Sequence, residues 1–66
     1  MPTIRIDGPK VTDLDKKRQF VKEVSDAAAR LYGLPAQIMV VLLRENSPDN
    51  VGVGGELLLD RHKKNE

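Results

Sequence analysis

The chain has 66 residues, with 11 Lys and Arg against 10 Asp and Glu and a net charge of +1. That near-balance argues against a dedicated nucleic-acid binder, which needs a clear basic excess against phosphate, and the lack of cysteine excludes disulfides and thiolate metal sites. A chain this short buries only roughly 60% of the surface its unfolded form exposes, so oligomerisation is the expected source of further burial.

The single histidine, His62, cannot make a metal site alone, and no metal or cofactor is expected. The longest unbroken apolar run, Ile38 to Leu43, is far too short to cross a bilayer. The N-terminus lacks the charged and apolar regions of a signal peptide. The expectation is one soluble, cytoplasmic domain over residues 1–66, without membrane or nucleic-acid partners and with a mobile tail from about residue 62.

Pro2 directly follows Met1. Many proteins tolerate proline there for no special reason. Removal of Met1, which the small proline side chain favours, would leave a free secondary amine at the tip of a strand, and such an amine can carry protons. The strand is Thr3 to Asp7, where Ile4 and Ile6 alternate with polar residues. Gly8-Pro9 ends it.

A helix of about five turns is predicted next. Thr12 or Asp13 caps it, and Thr12 with Asp15 resembles a capping box with a shortened acid. Leu14, Val21, Val24, Ala28 and Leu31 form an apolar stripe that Phe20 and Ala27 widen. Gly33 is placed to close the helix and Pro35 cannot continue it.

The following strand has Ile38, Val40 and Leu42 on one face and Met39, Val41 and Leu43 on the other. Both faces are apolar, so both call for cover. One helix covers one face; the second calls for another copy of the chain. Strand, helix and strand make a parallel βαβ unit with a right-handed crossover. Val51 and Val53 among glycines then suggest a short hairpin, followed by Glu56 to Leu59 and the charged tail.

Few alternative sites survive scrutiny. Gly52, Gly54 and Gly55 lack the spacing of a phosphate loop, and no helical pattern follows them. Lys16-Lys17-Arg18 reads as the wet face of the helix. Arg61 to Lys64 reads as a solvated tail. Asp13 and Asp15 are explained by capping, and no nucleophile–base set can be assembled.

The M-P start, the first strand, the helix with EVSDA (Glu23 to Ala27), the apolar second strand with a charged end, and GVGGE (Gly52 to Glu56) together resemble the 4-oxalocrotonate tautomerase family. The resemblance runs from Pro2 to about Leu59. It implies an α+β fold: a single β-α-β unit with a short C-terminal hairpin, whose strands pair with a second subunit into a four-stranded sheet. Three such dimers would make a homohexamer. It also implies an isomerase that moves a proton in small 2-hydroxy or 2-oxo unsaturated acids, by keto–enol or 1,3-allylic transfer, with Pro2 as general base. A dry pocket and a nearby cation would lower the amine's pKa toward working pH.

Where members of that family carry an arginine after the first strand, this chain offers Lys10. The position of their second-strand arginine is Val40, and that of their hairpin aromatic is Val51. Arg44 and Arg5 are alternative cations. The expected substrate is therefore a small carboxylate with one acid group and an apolar end, bound by Lys10, Arg44, Val40 and Val51. The lost arginine and aromatic also motivate a second expectation, a catalytically weak oligomer acting as a binding or structural module.

Overall fold

The expected β-α-β order appears in the computed structural model, which describes residues 1–64. Strand β1 (Thr3–Gly8) and strand β2 (Val40–Glu45) are parallel, with Ile4 opposite Val41 and Ile6 opposite Leu43. These four side chains are half-buried and form the inner row of the sheet. Thr3, Arg5 and Asp7 of β1, with Val40, Leu42 and Arg44 of β2, form the outer row.

Helix α1 (Leu14–Tyr32) connects the strands. Asp13, rather than Thr12, caps it: its carboxylate accepts the amides of Asp15 and Lys16 at 3.0 and 3.2 Å. Asp15 does not return a capping-box bond; its side chain pairs with Arg18 at 2.7 Å. The aspartate side chain is one carbon shorter than the glutamate that usually closes such a box. Gly33, with φ 67°, ends the helix in the left-handed conformation and donates its amide to Ala29.

Two expectations about apolar packing change. The second strand begins at Val40, not Ile38. After Pro35 the chain makes a tight 3-10 turn over Ala36–Ile38, closed by the amide of Ile38 on the carbonyl of Pro35. On the helix, Val21, Val24 and Ala28 pack inward, but Leu14 is 58% and Leu31 77% exposed. The two-stranded sheet is too narrow to reach both ends of the stripe.

The expected short hairpin is present. Strands β3 (Gly52–Val53) and β4 (Glu56–Leu57) pair antiparallel through Gly54 and Gly55, at φ 62° and 88°. Two consecutive positive φ values match a primed two-residue turn, where glycine carries no Cβ penalty. A helix does follow: α2 (Leu58–Lys64) replaces the expected strand end and charged tail. The amide of Leu58 bonds the carbonyl of Val51 at 2.7 Å, which turns the chain into this helix. The rest of the expectation about a tail, and the surroundings of His62, lie outside the described residues.

One subunit leaves much of its apolar surface uncovered. Among the described residues only Ala28 is more than nine-tenths buried, at 8% exposure, whereas Ile38 and Leu42 stay 38% and 43% exposed. The chain exposes 5303 Å², against about 4,200 Å² for a self-contained protein of its mass. Its radius of gyration is 15.6 Å, where roughly 11 Å is usual for this length.

Candidate functional site

Pro2 stands just before β1 and is half-buried. Its carbonyl accepts the amide of Val40 at 3.0 Å. This bond carries the parallel ladder past Thr3 and fixes the proline against the start of β2. Met1 is 85% exposed, so the peptide bond joining it to Pro2 lies at the open end of the chain.

Lys10 and Arg44 lie at the opposite end of the strands. Six residues of β1 separate Pro2 from the loop that carries Lys10, a run of about 20 Å. Arg44 pairs with Asp7 across the outer row at 3.1 Å. A cavity of about 390 Å³ opens at this end, with apolar walls from Ile6, Val11, Phe20 and Leu43 and with Lys16 and Arg44 in its lining. A neighbouring cavity of about 370 Å³ is lined by Val51 together with Pro9, Pro48 and Leu58. Neither cavity includes Pro2, Lys10 or Val40.

The structure therefore brings Pro2 and Val40 together, and separately gathers Arg44 and Val51 near the Lys10 loop. It does not join these groups within one subunit. The chain runs parallel in its own sheet, and a twofold partner laid edge to edge runs antiparallel. Such pairing is the arrangement that turns the Lys10 end of one copy toward the Pro2 end of the other.

Glu45 was not singled out by the sequence. It ends β2 and reaches back to the loop before α1. Lys17 Nζ meets Glu45 Oε1 at 2.7 Å, and the Val11 amide donates to Oε2. The Lys17 bond, then the Val11 bond, hold the Glu45 carboxyl below its usual range, helped by the positive charges of Lys17 and Lys10 and opposed by partial burial. The sequence signal was present in the charged end of an apolar strand, but the partner lies 28 residues away along the chain. Among the described residues no group of three or more His, Asp or Glu is arranged to hold a metal ion.

A family model for tautomerase enzymes matches residues 2–61. The chain belongs to the 4-oxalocrotonate tautomerase family. Its fold is similar to that of DmpI from Archaeoglobus fulgidus, with 41% identity and a TM-score of 0.80 over 89% of this chain and 100% of that one. A 4-oxalocrotonate tautomerase homologue, TTHB242, is 30% identical with a TM-score of 0.80, over 91% and 95% of the two chains. A heterohexameric 4-oxalocrotonate tautomerase from Chloroflexus aurantiacus shares the fold at 23% identity and a TM-score of 0.79, over 91% and 97%. No match was found among curated proteins. Membership of the family supports an isomerase-type enzyme. Among the described residues no helix is long and apolar enough to cross a membrane.

Proposed function

We propose that this chain is a tautomerase for small 2-hydroxy or 2-oxo unsaturated acids, with Pro2 as general base after removal of Met1. The observation that carries this reading is a family match that begins at residue 2, where a proline heads a strand. A freed Pro2 nitrogen is a secondary amine. In its neutral form it takes a proton from the enol hydroxyl or from carbon, and it returns that proton to another carbon of the conjugated system. The amine is regenerated and the product is an isomer of the substrate. An amine with a pKa near working pH serves best in both directions.

The carboxylate of the substrate needs a cation. Lys10 is the residue we assign to this role, supplied by a neighbouring copy of the chain. It has no ion-pair partner among the described residues, whereas Arg44 is engaged by Asp7 and Lys17 by Glu45. Lysine gives a point charge instead of a bidentate clamp, and Val40 and Val51 offer apolar contact. The preferred substrate therefore has one carboxylate and an apolar end. The uncovered surface of the subunit supports assembly, and a hexamer built from three dimers is the state we propose. A cytoplasmic location goes with this reading.

The test is ketonisation of phenylenolpyruvate by protein whose mass confirms a start at Pro2, beside Pro2→Ala. Turnover lost in a variant that keeps the wild-type melting temperature and assembly supports the proline base. Equal rates in the two proteins reject it.

A further inference from the structure

The loop between β1 and α1 is short and exposed, yet it is tied at two points around Lys10. On one side Pro9 restricts its own φ and the conformation of Gly8 before it. On the other, the Val11 amide donates to Glu45 at the end of β2. The second oxygen of Glu45 is taken by Lys17 of α1 at 2.7 Å. One carboxylate thus links the end of β2, the loop and the first turns of the helix. The side chains of Lys17 and Glu45 keep 24% and 29% of their exposure, so solvent screens this contact less than it would an ion pair at the open surface.

The arrangement has a consequence for Lys10. It lies close enough for its positive charge to act on Glu45, but Lys17 and Val11 occupy the two carboxylate oxygens. The glutamate holds the backbone beside Lys10 without capturing its ammonium group. The ammonium remains available for an anion, on a loop whose position is fixed by the sheet.

We propose that Glu45 is a positioning residue, which sets carboxylate affinity by fixing the loop that presents Lys10. This rests on the reading of Lys10 as the substrate's cation. Lys17 and the Val11 amide hold its two oxygens, so Glu45 acts on Lys10 through Val11. The ordered loop makes substrate capture less costly, and Lys10 keeps its charge at the site without Glu45, so the loss of Glu45 falls on KM far more than on kcat.

The experiment uses the assembled protein beginning at Pro2, with phenylenolpyruvate as the probe. Wild type, Glu45→Ala, Glu45→Gln, Lys10→Ala and the double variant Lys10→Ala with Glu45→Ala are compared for kcat, KM, assembly and hydrogen exchange at the Val11 amide. Glu45→Ala is expected to raise KM about tenfold, the order expected when a binding group is misplaced, with kcat within about twofold. Exchange at Val11 speeds up. Glu45→Gln keeps an oxygen for Val11 and recovers most of the affinity. In the Lys10→Ala background the further change at residue 45 leaves KM unmoved. An equal rise in KM in both backgrounds overturns positioning through Lys10 while leaving the role of Lys10 intact. Unchanged exchange at Val11 in Glu45→Ala overturns it without reference to turnover. If Lys10→Ala alone leaves KM unchanged, the assignment of Lys10 fails and the inference falls with it; a wild type without turnover removes both together with the tautomerase reading.

Discussion

The amide of Val40 donates to the carbonyl of Pro2 at 3.0 Å. The first residue of β2 is therefore the backbone neighbour of the proposed base, and in the function proposed above its side chain meets the substrate. Valine supplies apolar contact and no charge. Val40→Arg should raise kcat/KM for a dicarboxylate such as 2-hydroxymuconate about tenfold or more, since a charge-assisted hydrogen bond contributes on the order of 1.5–3 kcal/mol. Activity on phenylenolpyruvate should fall in the same variant. Steady-state kinetics with both substrates checks the exchange; parallel losses on both would show that residue 40 does not face the substrate.

Leu42 belongs to the outer row of the sheet and is 43% exposed in one subunit. If a second copy covers that row, Leu42→Asp places a carboxylate in a dry interface. Burying a leucine contributes about 1.5–3 kcal/mol, and the unpaired charge adds a desolvation cost. The variant should dissociate at concentrations where the wild type stays assembled, by about tenfold or more in the midpoint. Light scattering across a dilution series measures this. An unchanged assembly would place the interface elsewhere.

The parts legible in the sequence are those set by local rules. Alternation marked β1, the apolar stripe and Asp13 marked α1, and the glycine pair marked the hairpin. The start of β2 was misplaced because Ile38 is as apolar as the strand that follows, and hydrophobicity does not register the 3-10 turn imposed after Pro35. Helix α2 was missed because seven residues give too short a period to read, and its entry depends on the bond from Leu58 to Val51. At the candidate site, the place of Pro2 at the head of β1 was legible from its position. The Glu45 contact was not, because it joins residues far apart in the chain that only the crossover brings together. The separation of Pro2 from Lys10 follows from β1 itself, which sets them at opposite ends of one extended strand.

The hairpin turn makes a separate prediction. Gly54 sits at φ 62°, and apart from its chain neighbours no atom lies within 4 Å of where a Cβ would stand. Gly54→Ala therefore meets no steric obstacle, and its cost is conformational. The left-handed region costs an L-residue about 1–2 kcal/mol. The variant should lower the melting temperature by several degrees, as expected for a loss of this size in a small domain. Gly54→Asn, which tolerates that conformation better, should lose less. Calorimetry of the two variants separates backbone strain from packing, since a packing clash would penalise the larger asparagine more.

Glu45 makes the acid response specific. Lys17 and the Val11 amide favour its charged form, so its pKa in the folded state lies below the ordinary 4.5. A carboxyl with a depressed pKa binds fewer protons in the folded than in the unfolded state over the interval between the two values. Its contribution to stability is therefore full above about pH 4.5 and is lost as pH falls through the folded-state pKa. Glu45→Gln should melt below the wild type at pH 7, and the difference between the two should shrink as pH drops below about 4.5. Other carboxylates lower the stability of both proteins in acid, so the difference, not either curve alone, reports on this contact. Matched thermal melts from pH 3 to 7 at one protein concentration measure it. A difference that stays constant across that range would mean that the charge of Glu45 contributes nothing and that its side chain acts by packing alone.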